Sequence, residues 1–425
     1  MKILITNVYT YQNRGDAAIL SVLLSQLKLI FPGSQIDIST TSPEENNGNF
    51  EGSKLFTSFT RILFGYKGLH RILVSADLLI GGTITCLVYK LWSRDLKLTV
   101  YKPTRILMSK FMEADLIIGV GGGYLGKKEG DIKGTLDLCI QLYPVFIGNF
   151  CGKQTILYSQ SIGPFVNKIQ NIICCHVLNG VDGIFAREDV THNILLDLGI
   201  PTNRIWRTVD AGFLFRKGGA TSARTERANK KKKVGITVRK WPDSASQTKY
   251  EDSIAETVAH IINKYNYEVV FVAQVTAKDF SDDDRMISRN IIKRLPKDVR
   301  KNIAEVTAPY DQILKIYSSL WCIIGTRFHS VIFSISNNIP SIAIEYEHKT
   351  MGIMEDLGLE SWVIPIEKTN GEKLIHMFDK LNDTHDGYVK YLERKVPSYK
   401  KKAERTATIM EELVKLRFLP SSGEK

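Results

Sequence analysis

Short apolar runs alternate with amphipathic stretches along most of the chain. In the first half, the runs lie at residues 2–7, 115–120, 154–159 and 183–186. A further strand of mixed polar and apolar residues is predicted at 35–40, and the segment 205–210 closes this half. After a polar interval the apolar runs resume at residues 234–238, 268–273, 320–324 and 341–344. Short buried strands that alternate with helices are typical of parallel sheets covered by helices. The pattern therefore predicts an α/β fold with two doubly wound, Rossmann-like domains that face each other across a cleft.

The two sets of runs are separated by a polar, basic segment. Residues 216–233 contain almost no apolar side chains, so we predict an interdomain linker there. We expect an N-terminal Rossmann-like domain at 1–215 and a C-terminal one at 234–385, which carries the main binding site. A Lys-, Glu- and Leu-rich helical pattern then predicts a C-terminal helix and tail at 386–425.

Residues 56–110 have a different character and form an apolar-basic insert in the first domain. Residues 73–89 are almost long enough to span a bilayer, but Asp77 and the glycines at 81 and 82 argue against a transmembrane helix. The flanking cations are Arg61, Lys67, Arg71, Lys90, Arg94, Lys97, Lys102, Arg105 and Lys110. An apolar segment with basic borders can lie on an anionic membrane surface. A buried helix pair is the alternative.

Composition narrows the class of partner. The 425 residues carry a formal net charge of +12, which favours a phosphorylated metabolite, an acidic lipid surface or nucleic acid. The six cysteines include no C-x-x-C pair, so we expect reduced thiols in a cytoplasmic protein, without a disulfide framework. The N-terminal apolar run is too short for a signal peptide. The histidines lack the neighbouring ligands of a metal site, and none is predicted.

Residues 325–329 combine a strand end with two chemically useful side chains. This Gly-Thr-Arg-Phe-His stretch follows an apolar run and precedes a helical pattern, and ligands of open α/β sheets bind at such strand ends. Arg327 is a permanent cation that can fork onto a phosphate or carboxylate, and His329 can carry a proton near neutral pH. The pair indicates an anionic substrate that must be protonated. A strand-capping arginine and a buried structural histidine are the alternative.

The loop after the first strand has the same position in the first domain. Asn13, Gly15 and Asp16 lie between that strand and a helix, where backbone N–H groups can bind an anion. The loop lacks both the G-x-G-x-x-G and the Walker pattern. Asp16 also fits a helix N-cap.

Two more polar loops follow strands of the first half. Gly121, Gly122 and Gly123 allow a ligand to approach the backbone closely, or only a tight turn. Gln160 and Ser161 begin a second loop at a strand end. Both loops are therefore candidates for substrate binding.

Arg187 directly follows the apolar run at 183–186, just as Arg327 lies shortly after the apolar run at 320–324. This repeat of the local context makes Arg187 a second candidate for anion binding. A surface salt bridge to Glu188 or Asp189 is the alternative.

Taken together, these motifs resemble the polysaccharide pyruvyl transferase family. The matching stretches are residues 13–19, 121–123, 159–164, 187–188, 210–213, 325–329 and 340–349. Their order and spacing cover almost all of residues 1–360. Members of that family have a glycosyltransferase-B-like fold and transfer pyruvate from phosphoenolpyruvate to a sugar as a ketal. The resemblance implies that activity in the biosynthesis of a polysaccharide or glycan precursor.

The resemblance also implies roles for individual residues. Arg187 and Arg327 would hold the carboxylate and phosphate of the donor, and His329 would donate the proton. Lys349 lies in a matched segment and is a further candidate for substrate binding. Asp16 could deprotonate the attacking hydroxyl group. Phosphoenolpyruvate is a substrate here, and no cofactor is implied.

Two other classes of function stay open on sequence alone. A nucleotide-sugar-dependent glycosyltransferase of the same fold would use the cations for a diphosphate leaving group. A non-catalytic anion-, membrane- or nucleic-acid-binding protein would bind through its charge, although no nucleic-acid motif is present and no nucleic-acid partner is expected.

We expect the protein to use a glycan or lipid-linked sugar as acceptor, with peripheral contact at the inner face of the membrane through residues 56–110.

Overall fold

The chain forms two compact units in a computed structural model. The structure describes residues 1–44, 50, 52–126, 129–216, 231–241, 244–277 and 282–418. Unit 1 contains Met1–Tyr11, Ile19–Asp210 and Lys402–Lys425, and unit 2 contains Gln12–Ala18 and Ala211–Lys401. Residues 12–18 and 211–215 thus belong to unit 2, whereas the sequence assigned them to the first domain. Most of the predicted linker, 217–230, lies outside the described residues.

Unit 1 is built on a seven-stranded parallel sheet. The strands of this unit are β1 Lys2–Val8, β2 Gln35–Thr40, β3 Ser53–Thr57, β4 Leu116–Val120, β5 Leu125–Gly126, β6 Gln154–Gln160, β7 Ile162–Gly163, β8 Gly183–Ala186 and β9 Ile205–Arg207. The sheet order is β3-β2-β1-β4-β6-β8-β9, and β5 pairs with β7 separately. Every pairing is parallel. The strand order reverses between β1 and β4, where open α/β sheets bind their ligands.

Seven helices accompany this sheet in the described part of the chain. They are α1 Arg14–Ile30, α2 Phe59–Phe64, α3 Gly68–Trp92, α4 Lys102–Glu113, α5 Ile132–Phe150, α6 Lys168–Leu178 and α7 Asp189–Asp197. The first turn of α1 belongs to unit 2. Within α3, Asp77–Gly81 forms a π-helical turn. Thr202–Arg204 is a short 3-10 helix.

The insert region contains α2, α3 and α4, which pack on the first sheet. Val74, Leu78 and Cys86 of α3 are buried in one apolar cluster with residues of α2, α4 and α5. The Phe59 ring of α2 lies 5.2 Å from the Phe111 ring of α4, centroid to centroid. Burying several such side chains stabilises the packing by about 1.5–3 kcal/mol each. One face of α3 is therefore part of the core of unit 1.

Asp77 holds the chain that follows α3. Its carboxylate accepts hydrogen bonds from the backbone N–H groups of Val100 at 2.6 Å and Tyr101 at 3.1 Å. By length and composition, α3 is the one described helix that is apolar enough to cross a membrane, and 28% of its apolar window is buried within the protein.

Unit 2 is built on a six-stranded parallel sheet. Its strands are β10 Lys233–Thr237, β11 Glu268–Val272, β12 Thr276–Ala277, β13 Asp282–Asp283, β14 Ile303–Val306, β15 Cys322–Gly325, β16 Ser341–Glu345 and β17 Val363–Pro365. The sheet order is β14-β11-β10-β15-β16-β17, with β12 and β13 as a separate antiparallel pair. All pairings within the six-stranded sheet are parallel. Its order reverses between β10 and β15.

The helices of unit 2 follow the same alternation. They are α8 Ser244–Tyr265, α9 Asp284–Arg294, α10 Lys297–Arg300, α11 Ile313–Ser319, α12 Phe328–Ser336, α13 His348–Leu357 and α14 Gly371–Phe418. The last part of α14, from Lys402, belongs to unit 1. Short 3-10 helices lie at Ala211–Leu214, Glu360–Trp362 and Ile366–Lys368. All nine residues of α12 are buried, as its apolar sequence requires. Helix α14 begins well before the predicted start at 386.

The predicted fold class is confirmed, since both units are doubly wound parallel α/β structures. The predicted strands at 35–40 and 183–186 match β2 and β8 to the residue. In contrast, β3 follows a polar segment and was not predicted.

Candidate functional site

Arg327 and His329 lie at the switch point of the second sheet. Thr237 ends β10, and its hydroxyl accepts a hydrogen bond from the backbone N–H of Arg327 at 3.4 Å. The same hydroxyl is 2.7 Å from that of Ser330 in α12. The predicted order of strand, turn and helix around 325–329 is present, because β15 ends at Gly325 and α12 begins at Phe328. These residues thus occupy the crevice where ligands of such sheets bind.

The Arg327 guanidinium is held by two carboxylates. Its Nε and Nη2 donate to Asp284 Oδ1 at 3.0 and 2.6 Å, and Nη1 donates to Asp282 Oδ2 at 3.3 Å. Asp284 is fully buried, and its other oxygen accepts the backbone N–H groups of Gln274 and Val275, both at 2.9 Å. Four of its five N–H groups thus face these two carboxylates, and one N–H of Nη1 takes no part in these contacts. The donor-binding role of Arg327 therefore stays a prediction.

Burial and charge act against each other in this cluster. Burial raises the pKa of Asp284 above its usual value, although the Arg327 guanidinium and the Val275 N–H oppose the shift. For Arg327, burial alone would lower the pKa, but Asp284 and Asp282 outweigh it and the pKa is raised. The cation is thus permanent at any working pH.

His329 is seated against the N-terminus of α1. The side chain is 9% exposed and lies beside the rings of Phe328 and Phe333, at centroid distances of 5.0 and 6.0 Å. A methyl group added at Gly15 would lie 2.0 Å from His329 Nδ1. Only glycine leaves room for the imidazole there, so the backbone of α1 fixes its place.

Asn13, not Asp16, caps helix α1. Its Oδ1 accepts the backbone N–H groups of Gly15 at 3.1 Å and Asp16 at 3.5 Å, as an N-cap side chain does. The Asp16 carboxylate instead accepts the Asn13 amide at 2.7 Å. The N-cap interpretation of Asp16 was therefore wrong by three positions.

Arg14 clamps this loop within unit 2. Its backbone N–H donates to the Gln274 carbonyl at 3.1 Å, and its guanidinium donates to the Ala308 carbonyl at 2.9 Å and the Thr276 hydroxyl at 2.6 Å. The N–H groups of residues 14, 15 and 16 thus donate within unit 2, and the predicted array of backbone donors for an anion is not present at these positions.

Lys349 supplies a further cation at the next strand end. It is 8% exposed and pairs with Glu347 at 2.5 Å, with its ammonium 5.5 Å from the centre of the Phe328 ring. Burial acts to raise the pKa of Glu347, but the Lys349 ammonium outweighs it and the pKa is lowered. Arg239, after β10, stacks on Tyr346 at 3.8 Å. Cations therefore follow three neighbouring strands of this sheet.

Arg187 lies in a separate, buried network in unit 1. Its side chain is fully buried and donates to Asp210 at 2.7 Å and to the Ser161 hydroxyl at 2.7 Å. Burial raises the pKa of the nearby Glu188, which the Arg187 charge opposes. The predicted pairing with Glu188 is present, at 3.7 Å from Arg187 Nε to Glu188 Oε2, but both side chains are buried and not at the surface. Asp189 pairs with Arg207 instead. The network ties the ends of β6 and β8 to the segment after β9.

The glycine loop after β4 belongs to the same network. A methyl group at Gly121 would lie 2.0 Å from the Ser159 carbonyl oxygen, so close approach of two backbones requires this glycine. The Gly122 carbonyl accepts from Arg187 at 3.4 Å, and Gly123 is partly exposed. The Gln160 amide donates to the Gly119 carbonyl at 3.0 Å.

The candidate residues therefore form two groups. Asn13, Gly15, Asp16, Arg327, His329 and Lys349 gather in unit 2, and Gly121, Gly122, Gly123, Gln160, Ser161 and Arg187 gather in unit 1. Sequence reasoning missed Asp282 and Asp284, the partners of Arg327. The acidic triplet at 282–284, directly before a helical pattern, was the available indication. Among the described residues, no group of three His, Cys, Asp or Glu side chains could hold a metal ion.

The comparisons with known proteins agree on family and fold. The family model of polysaccharide pyruvyl transferases matches residues 13–348, and the chain belongs to that family. The amylovoran biosynthesis protein AmsJ of Erwinia amylovora is 24% identical over an alignment of 411 residues, and the match covers 91% of this chain and 93% of the relative. The predicted family resemblance is thus confirmed.

Solved structures share the fold at low sequence identity. A UDP-GlcNAc 2-epimerase from Neisseria meningitidis, bound to UDP-GlcNAc, matches with a TM-score of 0.61 at 13% identity, over 98% of this chain and all of the other. S. aureus MnaA with UDP matches with a TM-score of 0.58 at 13% identity, over 98% of each chain. Anabaena Alr3699/HepE with UDP and glucose matches with a TM-score of 0.55 at 12% identity, over 98% of this chain and 99% of the other. The glycosyltransferase-B-like prediction is confirmed.

Proposed function

We propose that this protein transfers the pyruvyl group of phosphoenolpyruvate to two hydroxyl groups of a sugar, forming a cyclic ketal on a polysaccharide or glycan precursor. Membership of the pyruvyl transferase family supports this proposal, as does similarity to a protein named for amylovoran biosynthesis. The observation that carries it is the position of His329. A histidine held at a sheet switch point among cations suits the protonation of an anionic substrate.

The chemistry needs one acid and a site for phosphate. A proton added to the methylene carbon of phosphoenolpyruvate turns it into a methyl group and leaves an oxocarbenium-like carbon. One sugar hydroxyl attacks that carbon and gives up its proton to a base, and the acid then regains from that base the proton that it donated. The carbon–oxygen bond to phosphate then breaks, the second hydroxyl closes the ring, and its proton leaves with inorganic phosphate.

The described residues of unit 2 offer a group for each role. His329 donates the proton to carbon. Lys349 and Arg327, with the N-termini of α12 and α13, favour negative charge on the departing phosphate. Asp16 accepts the proton of the attacking hydroxyl; its link to Asn13 keeps the carboxylate oriented. In this arrangement Asp284 positions Arg327.

A donor comparison tests the proposal. The purified chain is incubated with phosphoenolpyruvate or with UDP-sugars, in the presence of lipid-linked and nucleotide-linked sugar acceptors. We expect acceptor-dependent release of inorganic phosphate from phosphoenolpyruvate and a product whose mass shows the added pyruvyl ketal. Release of UDP, with phosphoenolpyruvate left intact across the acceptor panel, would instead identify a nucleotide-sugar-dependent glycosyltransferase.

Gly15 gives a geometric prediction for the same site. We expect Gly15→Ala to lower turnover roughly tenfold to 10²-fold, because the new methyl group would displace the imidazole and a shift of about 1 Å can cost that much. Steady-state phosphate release measures the effect.

The matched control is Gly387→Ala in α14, where a new methyl group meets open space. Alanine there should leave turnover unchanged and stabilise the helix by up to about 1 kcal/mol. Full activity of Gly15→Ala would show that the position of His329 is not critical.

A further inference from the structure

Helix α3 has an outer face that is apolar and exposed. We call its side chains the outer stripe of α3: Leu69, Ile72, Ile80, Ile84, Leu87 and Leu91, between 44% and 71% exposed. Their spacings of three, four and eight residues place them on one side of the helix. From first to last the stripe is about 33 Å long at 1.5 Å per residue. Soluble proteins rarely expose a continuous apolar surface of this size without a partner.

The opposite face keeps α3 attached to unit 1. Val74, Leu78 and Cys86 are buried in the core, and Asp77 is bonded to the backbone at Val100 and Tyr101. A helix that crossed a bilayer would have to expose these buried residues and break both hydrogen bonds. Contact with lipid through the outer stripe alone requires neither. The geometry therefore fits a helix lying in the plane of a membrane surface.

The charges around the stripe have one sign. Residues 61–105 contain eight basic and two acidic side chains. Lys67 and Arg71 are exposed near the start of α3, and Lys90 and Arg94 are exposed at its end. Both acids accept hydrogen bonds within the protein, Asp77 as described and Asp95 from the Ser109 hydroxyl at 2.6 Å. The outer surface is thus apolar with a cationic border.

We propose that the outer stripe of α3 docks on an anionic lipid bilayer, with the cations at its two ends against the lipid head groups. Trp92, 63% exposed at the end of the helix, suits the boundary between head groups and acyl chains. A second copy of this chain is a poorer occupant, because pairing two such stripes would bring like charges together. This inference is independent of the proposed reaction.

Vesicle binding by the full chain tests the proposal. We expect it to sediment with vesicles that contain phosphatidylglycerol, much less with phosphatidylcholine alone, and to be released by high salt, which screens the contact. Each cation near such a surface contributes about fivefold to partitioning. Replacing Lys90, Arg94 and Lys97 with glutamine should therefore weaken binding on the order of 10²-fold. The triple variant Ile80→Ser, Ile84→Ser, Leu87→Ser should weaken it at least about tenfold.

Matched variants elsewhere on the protein distinguish binding through the outer stripe from non-specific binding of vesicles by exposed apolar or basic side chains. Ile169→Ser with Ile172→Ser removes apolar side chains that are 62% and 68% exposed on α6. Replacing the exposed Lys293, Lys297 and Lys301 with glutamine makes the same charge change in unit 2. Both control variants should bind vesicles as the unchanged protein does.

Three outcomes would overturn the proposal. The first is no binding to phosphatidylglycerol vesicles at low salt. The second is a lipid-free dimer that the serine triple variant converts to monomers, which would identify a second copy as the occupant. The third is retention on vesicles after high salt and alkaline carbonate, which would indicate a spanning helix.

Discussion

His329→Gln should lower acceptor-dependent phosphate release about 10²- to 10⁴-fold at saturating phosphoenolpyruvate, the range that general acid catalysis contributes. Glutamine has a similar size and can donate a hydrogen bond, but it cannot transfer a proton to carbon. Binding of the donor should survive, since the substitution removes a chemical step and leaves the cations in place. Turnover and donor affinity, the latter by calorimetry, measure the two effects separately.

The pH profile distinguishes an acid from a structural histidine. An acid must be protonated to act, so the rate of the unchanged protein should fall as the pH rises through the imidazolium ionisation. In His329→Gln the residual rate should lose that alkaline limb. His376, exposed on α14, provides the control, and His376→Gln should behave as the unchanged protein. If donor affinity vanished while turnover at saturation survived, His329 would be a binding residue.

The parallel sheets were predictable because their strands are buried on both faces. Such strands form continuous apolar runs that end in glycine or polar residues, as at β4, β8 and β15. The same pattern placed 325–329 at a strand end. By contrast, β3 at Ser53–Thr57 is an edge strand of mixed composition, and an edge strand needs no apolar run. Its existence depends on pairing with β2, which a local pattern does not reveal.

The partners of the two arginines could not be predicted for a related reason. Arg327 pairs with Asp284, 43 positions away, and Arg187 pairs with Asp210, 23 positions away. The sequence shows that a cation follows a strand, but not which carboxylate the fold brings to it. The repeated context of Arg187 and Arg327 was visible, and the structure adds that each guanidinium is buried against an aspartate. Both arginines thus order the loops at the ends of parallel strands.

Asp284→Asn should destabilise the protein by up to about 3–5 kcal/mol, because it removes the buried partner of an ion pair and leaves the Arg327 guanidinium only the partly exposed Asp282. Asp284 is fully buried and accepts both Arg327 and two backbone N–H groups. An asparagine keeps the shape of the side chain but loses its charge. Its NH₂ group would also face an N–H group of Gln274, Val275 or Arg327, from which it cannot accept a hydrogen bond. Urea unfolding followed by tryptophan fluorescence measures the loss, since Trp321 and Trp362 lie in unit 2.

Asp282→Asn is the matched control for that variant, because the same guanidinium contacts both carboxylates. The Asp282 side chain is 31% exposed, so water can replace its contact and the loss should be about 1 kcal/mol or less. Equal destabilisation by the two variants would mean that charge alone, irrespective of burial, holds Arg327. If Asp284→Asn unfolded at the same urea concentration as the unchanged protein, the buried pair would contribute little to stability, and the fixed position of Arg327 would need another source.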